Sequence, residues 1–382
     1  MRKERQIELL QRVADAGPHL AGLHAPASMV NPATAYTDPG RFARERRRLF
    51  RDGPVFFALS CELTAPGSYL TGRFDGVPVV VVRQPDGSLR AMVNACRHRG
   101  APIVQPDGGA GEVSALSCPY HAWTYDLGGR LRSRPMSEGA FDDVPVECDL
   151  HPLAVAERYG MVFVRAGGPE PIDVDAFLGG AEDDLGAFGL ADYVPIATRT
   201  RTWRMNWKLM LDTFTESYHI RTLHRRTLAP TFNSDCVLFE PFGRNLVSIG
   251  LRKDVLDEVA KPREEWSMLP YGTIQYFIVP NALVVHQIDH VEVWRFEPVD
   301  VRTTIATTSI YAPTEPHSDS ARGYFVKNLD LLMEVTGTED FPLMEQIQAN
   351  LDSGALPEVV YGRIEPPLIH LHRAVDEALA TP

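Results

Sequence analysis

Two short pairs of cysteine and histidine constrain this chain more than any other feature of its sequence. The first is Cys96-Arg97-His98, and the second, after 19 intervening residues, is Cys118-Pro119-Tyr120-His121. Each pair offers one thiolate and one imidazole, and both groups are common metal ligands. Zinc also accepts two cysteines and two histidines, but zinc fingers place the cysteines in one pair and the histidines in the other. Mixed pairs therefore favour an iron–sulfur cluster with cysteines on one iron and histidines on the other.

Composition and charge are those of an ordinary globular chain. Its 382 residues predict two or three domains, and 44% hydrophobic with 23% charged residues can supply a substantial core. The formal net charge of −12 argues against nucleic acid or an anionic membrane as the partner. We find no bilayer-spanning segment and no secretory signal, and therefore expect a cytoplasmic location. Cys61, Cys148 and Cys236 are expected to be buried small hydrophobes rather than disulfide partners.

The pattern of predicted strands, turns and helices changes twice along the chain. Residues 54–165 contain short strands broken by turns, which predicts an all-β module with the four candidate ligands in two hairpin-like loops. The Gly/Pro-rich segment 167–171 is typical of a linker. Strands predicted between 273 and 311 are flanked by helices, which predicts an α+β domain on an antiparallel sheet. We expect an N-terminal helical segment over 1–50, the all-β domain over 51–167, and the last domain over 168–382, with the first segment packing on the last domain.

A second set of candidate metal ligands lies in a predicted helix over 207–224. His219 and His224 are five residues apart, and Glu216 precedes His219 by three. Positions five apart on a regular α-helix diverge by roughly 140°. The helix must therefore deform between the two histidines, through a π-bulge or a break, if both bind one ion. Glu216 and His219 share a helix face, so Glu216 can be a metal ligand or a residue that orients the histidine.

These motifs resemble those of one family over nearly the whole chain, from about Phe56 onward. The segments at 96–100 and 118–123 are close to the two ligand loops of Rieske non-haem iron aromatic-ring-hydroxylating oxygenases (alpha, catalytic, subunit), with Ala122 where Gly is also common. The segment 207–224 resembles the mononuclear iron segment of the same family. The resemblance implies one [2Fe-2S] cluster and one Fe(II) per chain. The implied cluster ligands are Cys96, His98, Cys118 and His121, and the implied iron-binding histidines are His219 and His224.

The resemblance also implies the third iron ligand. The family carries an Asp near the start of a late helix that completes a 2-His-1-carboxylate triad, and the segment 339–348 resembles that helix. This implies Asp340 as the ligand and Glu345 as a supporting residue. Glu339 is the nearest rival, because it is adjacent and chemically able to bind iron. Thr213 stands where Asn is frequent in related sequences, which puts in doubt any hydrogen bond that an amide there would make.

Glu216 is the residue to which the resemblance gives a catalytic role. It is implied to be a hydrogen-bonding bridge between His121 of a neighbouring subunit and His219, within a head-to-tail homotrimer. A Glu at this position, rather than Asp, resembles the branch that acts on quaternary amines such as carnitine or choline, although aromatic substrates occur among similar sequences. His286 and His290 flank a predicted hairpin turn, where they can be strand-end polar residues or approach the pocket, whereas His370 and His372 are two apart on a predicted helix and do not share a face.

The expected function is that of a terminal oxygenase, a monooxygenase or dioxygenase of the EC 1.14 class. Electrons pass through the cluster to Fe(II), and oxygen from O2 is inserted into a small organic substrate, either an aromatic compound or a quaternary amine. The alternative is a Rieske electron-transfer protein without oxygenase activity. Such a carrier needs only the all-β module, so the further ~200 residues favour the oxygenase. Because the chain has no Gly-rich dinucleotide motif, we expect a separate NAD(P)H-dependent reductase, possibly with a ferredoxin.

Overall fold

The structure, a computed structural model, describes residues 1–17, 20, 23–104, 109–235 and 237–380. The prediction for Cys236 lies outside these residues. The chain divides into two compact units, which we call the all-β unit (Arg47–Phe177) and the mixed unit (Met1–Arg46 with Leu178–Pro382).

Helices occur mainly in the mixed unit, whereas strands occur in both units. The α-helices are α1 (Lys3–Asp15), α2 (Thr34–Thr37), α3 (Pro39–Glu45), α4 (Val174–Leu178), α5 (Glu182–Gly186), α6 (Trp207–Thr215), α7 (Val255–Val259), α8 (Asp319–Val335), α9 (Phe341–Asp352) and α10 (Pro366–Ala380). The strands are β1 (Met29–Pro32), β2 (Val55–Leu59), β3 (Ser68–Phe74), β4 (Val77–Arg83), β5 (Leu89–Val93), β6 (Ala110–Glu112), β7 (Leu116–Ser117), β8 (Thr124–Tyr125), β9 (Leu131–Ser133), β10 (Pro152–Arg158), β11 (Met161–Arg165), β12 (Val194–Trp203), β13 (Leu238–Phe242), β14 (Asn245–Leu251), β15 (Gly272–Ile278), β16 (Ala282–His286), β17 (Val291–Asp300), β18 (Thr303–Ala312) and β19 (Glu358–Tyr361).

The all-β unit contains a seven-stranded antiparallel sheet and a small three-stranded sheet. The strand orders are β2-β11-β10-β5-β4-β3-β6 and β7-β8-β9. Strand β4 explains why this part of the sequence contains an unbroken apolar run, because both of its faces are buried. Val79 and Val81 pack into one core cluster, whereas Val80 and Val82 pack into a second cluster that also contains Cys96 and Cys118. The candidate ligand loops therefore rest on one face of this strand.

The Gly/Pro-rich segment after β11 is bonded to the all-β unit. The backbone N–H of Gly167 donates to the carbonyl of Arg51 (2.7 Å), and the carbonyl of Gly168 accepts from Ala154 (2.9 Å). The segment that the sequence suggested as a linker thus continues strand β11 between its neighbours β2 and β10.

The mixed unit is built on a seven-stranded antiparallel sheet in the order β12-β18-β17-β16-β15-β14-β13. The ring of Trp294, on β17, packs on Phe214 of α6 and on Phe341 of α9. We call the sheet face that carries Trp294 the helix face, because α6 and α9 contact it. On the opposite face, the Tyr276 hydroxyl donates to Asp184 of α5 (3.0 Å). The α+β prediction, with an antiparallel sheet flanked by helices, is confirmed.

Helix α1 packs within the mixed unit. Arg5 forms an ion pair with Glu240 of β13, and the Gln6 side chain accepts a hydrogen bond from the backbone of Met268 (3.0 Å). Apolar residues of the same helix, Leu9, Leu10 and Val13, are buried. The amphipathic pattern of this helix therefore corresponds to one buried face.

Two of the cysteines that are not candidate cluster ligands differ in their surroundings. Cys61 is buried, and burial raises the pKa of its thiol to about 12, as expected for an inert core residue. Cys148 is only partly buried, so the expectation of burial is wrong for this residue. None of the helices in the described ranges is both long and apolar enough to cross a membrane.

Candidate metal centres

Each Cys-His pair of the all-β unit lies on a tight loop closed by backbone hydrogen bonds. In the first loop, the N–H of Cys96 donates to Ala101 and its carbonyl accepts from Gly100, both at 2.8 Å. In the second, the N–H of Cys118 donates to Trp123 (2.9 Å) and its carbonyl accepts from Ala122 (3.0 Å). Because each loop is closed around its cysteine, the cysteine and histidine of a pair are held together. The backbone thus sets the spacing of the candidate ligands.

The two candidate cysteines and the two candidate histidines of the cluster site form two layers. Both cysteines are buried in one core cluster, whereas His98 is partly buried and His121 is exposed. The Nδ1 atoms of the two histidines face each other at 3.2 Å. The His98 ring stacks on Trp123, with 5.0 Å between ring centroids. Burial, with repulsion from His121 and Arg99, lowers the pKa of His98 and so favours the neutral imidazole that binds metal.

Ala122 shows why glycine is common at its position. Its φ is +53°, in the left-handed region where a Cβ is unfavourable and where the second ligand loop turns back. The change from Gly to Ala conserves size, but it places a strained residue beside His121.

Tyr125 is a site residue that the sequence analysis missed. Its hydroxyl lies 3.3 Å from Cys96 Sγ and accepts a hydrogen bond from the backbone N–H of Arg97 (3.1 Å). Burial, together with the hydrogen bond to Cys96, raises the pKa of Tyr125, so the hydroxyl stays protonated and can donate to a thiolate. Hydrogen bonds to the sulfurs are among the factors that set the potential of an iron–sulfur cluster.

We expect Tyr125→Phe to lower the reduction potential of the cluster while its visible spectrum is retained. The hydrogen bond stabilises the reduced, more negative cluster more than the oxidised one, so its loss makes reduction less favourable. The measurement is a redox titration followed by absorbance. Tyr159→Phe is the control, because that hydroxyl donates to Asp175 in the same unit (2.8 Å). An unchanged potential in Tyr125→Phe would contradict the role given to this hydrogen bond.

The predicted helix over 207–224 is shorter than expected. Helix α6 ends at Thr215, Glu216 is extended (φ −139°, ψ 159°), and Tyr218–Arg221 forms a 3₁₀ turn. The prediction of irregular structure in this segment is correct, but its position between the two histidines is wrong because the helix ends before His219. Glu216 contacts His219 by reaching forward from the helix end, not by sharing a helical face with it. Its carboxylate accepts from the backbone N–H of His219 at 3.1 Å.

The structure brings His219, His224 and Asp340 together. One ligand atom from each lies within 4.8 Å of the others, and this is the metal-type group found among the described residues. Asp340 Oδ1 is 3.0 Å from His224 Nε2 and 3.6 Å from His219 Nε2. Two imidazoles and one carboxylate are the donor set of a facial triad for Fe(II), which leaves positions open for other ligands. The residues therefore fit a mononuclear iron.

Both histidines are oriented through their second ring nitrogen. His219 Nδ1 contacts Glu216, and His224 Nδ1 lies 2.5 Å from Glu339 Oε2. This leaves the Nε2 atoms directed toward Asp340, a common arrangement around metal-binding histidines. Burial acts to lower the pKa of His224, but its hydrogen bonds with Asp340 and Glu339 raise that pKa above the usual value. Glu339, the rival ligand, thus lies on the far side of the ring from the triad.

Asp340 and Glu339 reach opposite nitrogens of His224 because of a π-helical turn over Thr336–Asp340 between α8 and α9. Such turns occur often at functional sites. The Thr213 hydroxyl, on α6, donates to Asp340 Oδ1 (3.3 Å). Thr213 therefore makes a hydrogen bond to the candidate ligand with its hydroxyl.

Glu345 supports the site indirectly. Its carboxylate accepts from the backbone N–H of Arg204 (2.7 Å), and Gln348 of the same helix accepts from Asn206 (2.9 Å). These bonds join α9 to the segment that precedes α6. Glu345 therefore fixes the helix that follows Asp340 and does not contact the triad.

A buried polar network around α6 was not found from the sequence. Asp212 accepts from the Tyr36 hydroxyl (2.5 Å) and lies 3.0 Å from His372 Nε2. Asn31 and Tyr361 complete the network, with the Asn31 side chain donating to the Tyr361 hydroxyl (2.7 Å). His372 is fully buried and has Asp212 as a partner in this network, whereas His370 packs on Phe239. The segments involved are too far apart in sequence for any local pattern to indicate the network.

His286 and His290 also lie away from the triad. The His286 ring stacks on Phe188, and burial lowers its pKa to about 4. His290 is buried between two carboxylates, with Nδ1 2.7 Å from Asp289 and Nε2 3.2 Å from Glu292. Neither ring belongs to the metal group formed by His219, His224 and Asp340.

Comparison with protein families decides what this pair of sites represents. Residues 190–381 match the model of the ring hydroxylating alpha subunit (catalytic domain), and residues 54–146 match that of the Rieske [2Fe-2S] domain. The chain belongs to the Rieske ring-hydroxylating oxygenase alpha-subunit family. It carries a [2Fe-2S] cluster and a mononuclear iron site and acts as an oxygenase. The alternative of a Rieske electron carrier without oxygenase activity is not supported.

Relatives of known function cover most of the chain. The glycine betaine monooxygenase oxygenase subunit of Chromohalobacter salexigens is 27% identical over 94% of this chain and 89% of its own length. The carnitine monooxygenase oxygenase subunit of Escherichia coli K12 is 29% identical over 84% of each. Among solved structures, a quaternary ammonium Rieske monooxygenase in complex with L-carnitine has a TM-score of 0.79 at 23% identity, covering 92% of this chain and 96% of that one. Naphthalene 1,2-dioxygenase from Rhodococcus sp. has a TM-score of 0.75 at 17% identity, covering all of both chains. These two likenesses establish the shared fold.

Iron content separates the roles of the two adjacent carboxylates. We expect Asp340→Ala to reduce the iron of the loaded protein from about three to about two per chain, because the cluster keeps its own ligands. Glu339→Ala is expected to keep the iron but to weaken its binding by about 10- to 100-fold, as loss of a residue that orients a ligand does. The measurements are metal analysis and competition with a chelator under anaerobic conditions. The reverse pattern would make Glu339 the ligand.

Proposed function

We propose that this oxygenase hydroxylates a quaternary amine, with Cys96, His98, Cys118 and His121 holding the cluster and with His219, His224 and Asp340 holding Fe(II). The convergence of the two histidines and Asp340 is the observation that carries the proposal. Support for the substrate class comes from relatives that act on glycine betaine and carnitine. The aromatic surface formed by the partly buried Phe214 and the buried Trp294 and Phe341, next to Asp340, also suits an alkylammonium group.

The residues of the site would hold Fe(II), orient its ligands and exclude water from one side. Fe(II) bound to the triad supplies the activation of dioxygen. Glu216 and Glu339, at the Nδ1 atoms, favour the tautomer that leaves each Nε2 lone pair free to bind a metal, and Thr213 fixes the Asp340 carboxylate. His224 and Asp340 are 2% and 4% exposed, so this side of the triad excludes water. His219 is partly exposed, which leaves the other side open.

We further propose an N-terminal helical segment, two domains and a division of electron transfer between subunits. Residues 1–50 would pack on the catalytic domain at 168–382, and residues 51–167 would form the cluster domain. Inter-subunit electron transfer has been described for a quaternary ammonium Rieske monooxygenase with a TM-score of 0.77 to this chain. By analogy, the chain forms a homotrimer in which Glu216 bridges His219 to His121 of a neighbouring subunit. A separate NAD(P)H-dependent reductase, possibly with a ferredoxin, supplies electrons in the cytoplasm.

The decisive test of the function is oxygen uptake by the iron-loaded protein with a surrogate reductase. We expect uptake to depend on carnitine, glycine betaine or choline and to yield one hydroxylated product per dioxygen consumed. Aromatic acids and naphthalene serve as the comparison set, and His219→Ala, which lacks a metal ligand, serves as the inactive control. Uptake driven only by the aromatic compounds would reject the substrate class while leaving the oxygenase assignment in place.

Glu216→Gln tests the proposed bridge. Glutamine keeps the length of the side chain but removes its charge. We expect the reduced cluster to be oxidised at least about tenfold more slowly in a single turnover, with metal content unchanged. Glu240→Gln, at another partly buried acid of the mixed unit, which pairs with Arg5 and does not contact His219, is the matched control. Oxidation at the wild-type rate in Glu216→Gln would contradict the bridge.

A further inference from the structure

The helix face of the large sheet carries a polar row in otherwise apolar surroundings. Trp294 lies on this face, with 5.1 Å between its ring centroid and that of Phe214. Residues two apart on a strand point to the same side, so Glu292 lies on the helix face too. Glu292 pairs with Val285, Val285 with Gln275, and Gln275 with Ser248 on successive strands. Directly paired residues of antiparallel strands share a face, so this row faces the side of the sheet that α6 and α9 contact, next to the segments that carry the triad.

Two hydroxyls on this face are unsatisfied. Ser248, at the end of the row, and Thr308, paired with Trp294, are both fully buried. Within the described ranges, neither Ser248 Oγ nor Thr308 Oγ1 has a hydrogen-bond partner. Buried polar atoms in native proteins are nearly always bonded, so a pair of exceptions on one face indicates a place where another molecule supplies the partner.

Glu292 gives this face a negative charge. The residue is 4% exposed, and its ion-pair partner among the described residues is His290, whose Nε2 lies 3.2 Å from Oε1. His290 also pairs with Asp289 through Nδ1 (2.7 Å). The buried Glu292 thus shares one imidazole with Asp289, whose side chain is 44% exposed, so His290 is not a counter-charge for Glu292 alone. A buried carboxylate without a full counter-charge is unfavourable, and a cationic ligand would relieve this.

We propose that Glu292 is the specificity-determining residue that provides the counter-charge for the ammonium group of the substrate, beside the rings of Trp294 and Phe214. The remainder of the substrate lies over Val285, toward Gln275 and Ser248. From β17 to β14 the row spans three strand spacings, on the order of 14 Å, which is ample for a small amine with a polar tail. The proposal rests on the proposed function, because it takes the substrate to be a quaternary amine.

Binding to the holoenzyme under anaerobic conditions tests this role without turnover. The probes are carnitine, glycine betaine and choline, each compared with its analogue in which carbon replaces the quaternary nitrogen. By calorimetry, wild type should bind at least one amine about tenfold or more tightly than its neutral analogue. Glu292→Gln should reduce this preference to about twofold or less, and Glu292→Asp should keep most of it.

Controls separate this role from a structural one. Glu358→Gln, at an exposed position of strand β19, removes one charge elsewhere in the same unit and should leave the preference unchanged. Iron content and the cluster spectrum report whether each variant is folded. The wild-type comparison needs no variant, and equal affinity for an amine and its neutral analogue would by itself overturn the proposal.

The possible failures can be told apart. If amines drive oxygen uptake and Glu292→Gln keeps the wild-type preference for the cation, the role of Glu292 is wrong but the proposed function stands. If wild type binds none of the amines and consumes oxygen only with aromatic compounds, the substrate class and the role of Glu292 both fail.

Discussion

A buried ion pair at the start of helix α6 is the interaction on which the mononuclear site depends. Lys208 Nζ lies 2.6 Å from Glu45 Oε2, and both side chains are fully buried. The Trp207 indole donates to the same carboxylate (3.0 Å), and Arg41 donates to its other oxygen (2.9 Å). Breaking one partner of such a pair leaves an uncompensated charge, which typically costs about 3–5 kcal/mol. The pair therefore fixes the start of α6 against α3, while Asp212 ties the middle of the helix to Tyr36.

The constraint at the other end of α6 follows from this anchoring. Because the helix is held along its length, its end at Thr215 has a defined position, and the extended Glu216 can reach His219. The site then depends on two layers. Helices and turns hold the candidate metal ligands, whereas the sheet contributes the apolar and polar surface opposite them. In the all-β unit a single strand has both roles. Alternate valines of β4 point toward the ligand loops on one face and into the other core cluster on the opposite face.

The sequence predicted what is encoded locally and less of what depends on distant packing. The Cys-His pairs and the antiparallel sheet were recognisable because ligand spacing and strand texture are short-range signals. The end of α6 was predicted wrongly because the five-residue spacing of His219 and His224 requires an irregularity in the helix but does not indicate its position. Spacing alone could not distinguish Asp340 from Glu339, since the outcome depends on a turn whose hydrogen bonds are not visible in the residue types. The partners of Asp212 come from segments more than 150 positions away, so no window of sequence contains them.

The π-helical turn before α9 has a consequence for how the site tolerates changes of chain length. A π-turn holds one residue more than an α-helical turn, so it is equivalent to a single insertion within a continuous helix. Deletion of one residue between Thr336 and Asp340 would restore an α-helix and rotate the following residues by roughly 100° relative to α8. Glu339 and Asp340 would then both lose their contacts with His224. A substitution can remove the contact of one carboxylate with His224 and keep the other, whereas a one-residue deletion removes both. Homologous chains that keep both contacts must therefore keep the extra residue.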